Sequence, residues 1–183
     1  MKRLFVGLQI PEKVVETLGE LPTELTGALW KTAEKYHLTL SFIGNIEEPL
    51  ADEIERELKY IRFPAFRLAL KEIGYFANGD IPHHLWVGVT PDKALRELQE
   101  KVENTVKKLQ ENPQDRFKFH PHVTLAKLQG TSVDDVFGYI SQNNLYHSPE
   151  WQVSSFCLFE SHSKENGEGK YYTVRAEYPL SLI

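Results

Sequence analysis

His37-Leu38-Thr39-Leu40-Ser41-Phe42-Ile43-Gly44 is the stretch on which the fold turns, and it returns in short form as His122-Val123-Thr124-Leu125 in the other half of the chain. Both copies read His-apolar-Thr-apolar. Side chains alternate along a strand, so histidine and threonine share one face and the apolar pair takes the other. Strict alternation puts His37, Thr39 and Ser41 on one face, opposite Leu38, Leu40 and Phe42. In the second copy His120, His122 and Thr124 stand opposite Val123 and Leu125. With seven His, ten Thr and 22 Leu among 183 residues, chance supplies His-x-Thr-Leu about 0.05 times, and two copies about once in a thousand such chains.

The chemistry follows from the residue types. An imidazole holds or gives a proton near neutral pH, and a threonine hydroxyl beside it donates to an oxyanion. Two such ridges facing across a groove would form an acid–base site around a phosphate. One imidazole takes a proton from water while the other protonates the departing oxygen, each contributing ~10²–10⁴-fold. The threonines hold the oxygens on which charge builds. Such a site needs no metal and no cofactor.

Around the motifs the chain alternates strand and helix. The patterning predicts strands at 2–10, 37–43, 66–73, 84–89, 120–128, 153–160 and 170–177, and helices at 11–20, 49–61, 91–109 and 133–143. Residues 111–115 read as a loop and 162–169 as a hairpin loop. The first half runs strand–helix–strand–helix–strand and the second repeats that order and adds a strand, with the motif strand after the first helix in each. The expected fold is therefore α+β: a two-lobed, pseudo-symmetric duplication of antiparallel sheets with outer helices and a central groove. Residues 1–183 read as one domain of two interleaved lobes.

Composition sets the outer bounds. A net charge of −5 argues against a protein that coats long nucleic acid, which needs many cation–phosphate contacts. It leaves room for one that grips a single phosphate. The acidic runs at Glu47-Glu48 and Asp52–Glu57 read as solvated helix faces. Cys157 is the only cysteine, which excludes an internal disulfide and a cysteine-based zinc site and suits a core position. The apolar run in Met1–Leu8 is too short for a signal peptide, and no stretch is long enough to span a bilayer. A cytoplasmic monomer is the expectation.

The paired motifs resemble those of the two-histidine (2H) phosphoesterases, and most of all the RNA 2′,3′-cyclic phosphodiesterases, also called 2′-5′ RNA ligases. The likeness extends to Arg3-Leu4-Phe5-Val6-Gly7, Pro11, Trp30-Lys31, Leu85-Trp86-Val87-Gly88-Val89 and Pro121–Lys127. It implies metal-independent opening of a terminal 2′,3′-cyclic phosphate to a 2′-phosphate, with a reversible 2′-5′ RNA ligase activity that joins such an end to a 5′-hydroxyl. The implied partners are RNA ends or small cyclic phosphate nucleotides, such as one on ADP-ribose. A non-catalytic RNA-binding module on the same fold is the competing class. By the same resemblance His37 would be the proton donor to the 3′ oxygen, His122 the base acting on water, and Thr39 and Thr124 the phosphate binders. Where the family usually has Arg this chain has Lys127, a point charge in place of a planar fork. Strict alternation would turn Lys127 away from His122, so as a substrate-binding residue it requires a bulge or a strand end.

Other candidates carry less. His83-His84 and His120 lack the spacing of a His-Glu-x-x-His site. Phe76, beside a turn, is the preferred base-stacking aromatic over Tyr75, with Trp86 read as core. Lys31, Arg67 and Lys118 are the candidate groove cations.

Overall fold

The computed structural model describes residues 1–110, 118–165, 167 and 169–182. β1 (Lys2–Gln9) is buried without a break from Leu4 to Leu8, as befits a central strand. Pro11, fixed at φ −61, leads into α1 (Glu12–Gly19), which buries Val14 and Leu18. β2 (Ala28–Trp30) and a short 3-10 turn precede β3 (His37–Ile46). α2 (Glu48–Leu58) starts on Pro49 and buries Ala51, Ile54 and Leu58. β4 (Phe66–Asn78) and β5 (Ile81–Thr90) form a long hairpin, and α3 (Lys93–Leu109) buries Leu95, Leu98, Val102 and Val106. After β6 (His122–Leu128) comes α4 (Val133–Asn143), capped where Ser132 Oγ accepts from the Asp135 amide. β7 (Trp151–Val153), β8 (Ser155–Ser163) and β9 (Lys170–Pro179) complete the chain.

The strands run in the order β7-β4-β5-β6-β3-β1-β8-β9, with β2 alongside β6. β6 and β3 meet through a single residue pair, Leu38 with Val123. Outward from this seam, β6 answers β3, β5 answers β1, β4 answers β8 and β7 answers β9. The last two strands return to the N-terminal half, so the halves are interleaved in sequence. This antiparallel sheet with four helices is the expected α+β class. Arg175 of β9 ties α2 to its half, donating to Glu48 at 2.8 Å, Asp52 at 2.6 Å and Glu55 at 2.8 Å.

Both motif strands carry a bulge three residues after the histidine. Val6 pairs with Ser41 and Gly7 with Thr39, which leaves Leu40 as an extra residue. Leu85 pairs with Ala126 and Trp86 with Thr124, which leaves Leu125 extra. One extra residue reverses the alternation beyond it. Here the strict alternation expected from sequence fails. Ser41 does not face the groove: it is buried, and its Oγ donates to Glu103 Oε2 of α3 at 2.9 Å. Phe42 turns outward instead and is 66% exposed. In β6, Ala126 is likewise buried and Lys127 exposed on the side of His122 and Thr124, which meets the condition that Lys127 needs a bulge.

Some boundaries differ from the pattern reading. β4 and β5 extend to a turn at Gly79 (φ +59), well past the expected 66–73 and 84–89. β2 and β7, three residues each, carry too short a pattern to be seen. His120 precedes β6 rather than opening it. The expected loop at 111–115 and positions 166 and 168 of the expected hairpin loop lie outside the described residues. No helix among the described residues is long and apolar enough to cross a membrane.

Candidate active site

A groove of about 1030 Å³ runs along the seam, and His37, Thr39, His122 and Thr124 all line it. Each histidine is fixed in the same way. His37 Nδ1 donates to the Lys35 carbonyl at 2.9 Å, and His122 Nδ1 donates to the His120 carbonyl at 2.6 Å, in both cases the carbonyl two residues back. A carbonyl only accepts, so the proton sits on Nδ1 and a neutral ring keeps Nε2 bare. Both imidazoles therefore offer the same nitrogen to the groove.

Aromatic packing holds the rings. Phe5 lies 4.8 Å from His37, and Tyr172 meets it edge-on at 5.0 Å. Phe76 meets His122 edge-on at 4.9 Å. Burial in this packing pushes the His37 imidazole down to about 4, with the nearby Lys31 and His122 adding to the effect and the Lys35 carbonyl opposing it. His122 is lowered too, chiefly by burial. His122 lies near enough across the seam to add a small part to the lowering of His37.

Gly7 has a steric reason beside this site. A Cβ there would lie 2.7 Å from the Leu38 carbonyl oxygen, next to both His37 and Thr39. Gly74 is held for a similar reason, since a Cβ would fall 2.3 Å from the Trp86 ring.

The groove is cationic although the chain is acidic. Arg3, Lys31, Lys35 and Lys170 line it, and Glu53 is the carboxylate among the described lining residues. Lys31 is held against β6 by its amide, which donates to the Leu125 carbonyl at 2.8 Å. Its ammonium is depressed by burial and by Lys35, Lys170 and Lys127. Lys127 stands just outside the lining, paired across the ladder with His84.

Of the other sequence candidates, Lys31 lies in the groove. Arg67 pairs with Glu150 at 2.7 Å, and Lys118 is not part of the lining. Phe76 and Tyr75 are corrected as base platforms: Phe76 supports His122, and Tyr75 packs edge-on against Phe137. Trp86 packs on Phe76 and His120 and leaves its Nε1 buried without a partner among the described residues. Cys157 is buried, with its thiol pushed up to about 12 by burial. Among the described residues no group of three or more His, Cys, Asp and Glu is arranged to hold a metal. Arg3, Lys35, Phe42, His84, Lys170 and Tyr172 also line the groove, and no local pattern in the sequence assigns them to it. They come from five separate segments that only the fold assembles.

Two His-x-Thr strands set pseudo-symmetrically about a cationic groove are the arrangement of the two-histidine phosphoesterases. The chain belongs to the 2′-5′ RNA ligase superfamily, whose family model matches residues 20–165. It is 42% identical over 108 residues to an RNA 2′,3′-cyclic phosphodiesterase of Aeropyrum pernix, a match covering 57% of this chain and 61% of that one. It is 29% identical to the protein of the same name from Archaeoglobus fulgidus, over 87% of this chain and 90% of the relative. The crystal structure of Escherichia coli LigT in apo form shares the fold, with a TM-score of 0.77 at 22% identity over 98% of each chain.

Proposed function

We propose that this protein opens a terminal 2′,3′-cyclic phosphate on RNA to a 2′-phosphate. The observation that carries the reading is the matched pair His37 and His122, each tied through Nδ1 and each leaving Nε2 without that bond in one shared groove. His122 Nε2 takes a proton from water as the water oxygen bonds to phosphorus. The P–O3′ bond breaks, and His37 Nε2 gives its proton to the 3′ oxygen. Thr39 and Thr124 hold the two non-bridging oxygens, where negative charge grows. With a 5′-hydroxyl in the place of water, the same two transfers join the cyclic phosphate to it through a 2′-5′ bond as the P–O3′ bond breaks, and run backwards they cleave that bond.

The pKa directions fit this cycle. The free protein keeps both rings neutral at pH 7. A phosphate anion between them favours the cationic form, so the acid is loaded as substrate binds. Arg3, Lys31, Lys35 and Lys170 supply the attraction for that anion.

Phe42, exposed beside Thr39 with its ring 6.1 Å from Phe5, offers a platform for the terminal base. Stacking on one aromatic ring is worth about 1–3 kcal/mol per base. Phe42→Ala is expected to raise KM about tenfold with little change in kcat, measured by steady-state kinetics.

The deciding experiment is product analysis on a short RNA ending in a 2′,3′-cyclic phosphate, with excess chelator present. A 2′-phosphate end is the expected product. A 3′-phosphate end, or an unopened ring, overturns the proposal.

A further inference from the structure

The two ends of the groove are built on equivalent positions but differ in chemistry. Just past the bulge on the His37 side, the cross-strand pair is Phe5 with Phe42. At the matching place on the His122 side, the pair is His84 with Lys127. The aromatic pair Phe5–Phe42 is thus answered by an imidazole and a lysine, and Lys31 joins these from the segment that follows β2.

We propose that Lys31, His84 and Lys127 form a second phosphate subsite on the His122 side, which takes the phosphate carried on the 5′ carbon of the terminal nucleotide. This rests on the cyclic-phosphate reading above and extends it to the substrate's next group.

Three observations carry it. Lys31 and His84 line the same groove as Thr124, and Lys127 adjoins them. Lys127 stands two paired steps beyond Thr124, roughly 7 Å along the strand at about 3.3 Å per step, on the scale of one nucleotide. No carboxylate stands among the leading influences on Lys31 or His84. Among the described residues, the groups acting on Lys31 are Lys35, Lys170 and Lys127. Those acting on His84 are His83, Lys31, His122 and Lys127. None is a carboxylate, and Glu53 stands on α2, which is tied to the other half. Clustered cations of this kind repel one another until an anion sits between them.

His84 is also set up to donate. Its Nδ1 lies 2.6 Å from His83 Nδ1, so one ring donates to the other and Nε2 is its remaining polar atom. An anion at Nε2 selects the tautomer in which His83 donates and His84 keeps its proton on Nε2.

The experiment compares three substrates: adenosine 2′,3′-cyclic phosphate, the same nucleotide bearing a 5′-phosphate, and a dinucleotide ending in the cyclic phosphate. In the unaltered protein a 5′ phosphate is expected to raise kcat/KM about tenfold, mainly through KM. Lys31→Met and His84→Gln each bring that ratio to within about twofold of unity. A gain with the 5′-monophosphate alone assigns the subsite to small nucleotides. A gain with the dinucleotide alone assigns it to the phosphodiester of a strand, and equal gains assign it to either source.

Equal turnover of all three substrates by the unaltered protein, or a ratio that survives both substitutions, overturns the subsite and leaves the cyclic-phosphate reading standing. Calorimetry separates the two failures, because the affinity ratio of adenosine 2′,5′-bisphosphate to adenosine 2′-phosphate needs no turnover. If no cyclic phosphate is opened, a ratio near ten that Lys31→Met abolishes upholds the subsite, and a ratio near one overturns it.

Discussion

His37→Ala and His122→Ala are each expected to lower kcat by ~10²–10⁴-fold, because each removes one of two proton transfers that occur in the same displacement. Folding is expected to persist in both variants, since each ring lines an open groove rather than filling the core. The double variant should lose little beyond the worse single, as groups that act together are not additive. The pH profile gives a sharper reading. One ring must be neutral and the other charged, yet both sit below the ordinary histidine value in the free protein. The plot of kcat/KM against pH should therefore be bell-shaped, with its maximum below about 6.5, and each single variant should lose one limb. Single variants with unchanged kcat on the cyclic-phosphate RNA would remove these histidines from the mechanism.

The second large effect is on stability in acid. The unfolded chain takes up a proton at His37 near 6.5, whereas burial holds the folded ring down to about 4. Between those values the unfolded state binds more protons, so lowering the pH favours unfolding. The His37 contribution is fully present above about 6.5, declines through that window, and costs about 2–3 kcal/mol by pH 4.5. His122, lowered in the same direction, adds to the loss. His37→Phe, in a pocket already made by Phe5, Phe159 and Tyr172, removes the titrating group and keeps an aromatic ring. Urea unfolding at pH 7 and pH 4.5 checks this. The drop in unfolding free energy should be smaller in the variant by about 2–3 kcal/mol, and an equal drop in both proteins would refute it.

Local pattern carried the reading as far as local structure is repetitive. His37 with Thr39, and His122 with Thr124, fall on one face because alternation holds over three residues. Beyond that it fails at Leu40, where the bulge buries Ser41 against Glu103 and brings Phe42 into the groove. Nothing in the run Leu40-Ser41-Phe42 signals the extra residue. In the second copy a bulge or a strand end was the condition for Lys127 to stand on the side of His122, and the structure has the bulge.

The groove's cations were less accessible to sequence reasoning. Arg3 lies near the start of β1, Lys35 in the turn before His37, and Lys170 begins β9. Each is an ordinary surface residue until tertiary pairing sets it beside the others. For the same reason a chain of net charge −5 presents a positive groove. The acidic surplus resides partly on α2, where Arg175 meets three carboxylates away from the seam.

The single Leu38–Val123 pair gives the seam a mechanical character of its own. A sheet resists bending in proportion to its ladder, and here the ladder shrinks to one rung between two wide plates. Each plate carries its own histidine, threonine and bulge as a stiff unit. The gap between the imidazoles is set at that rung together with the bonds that cross beside it, Ser41 to Glu103 and the Lys31 amide to the Leu125 carbonyl. Substitutions at the rim can retune what is gripped without disturbing the spacing at which protons are passed.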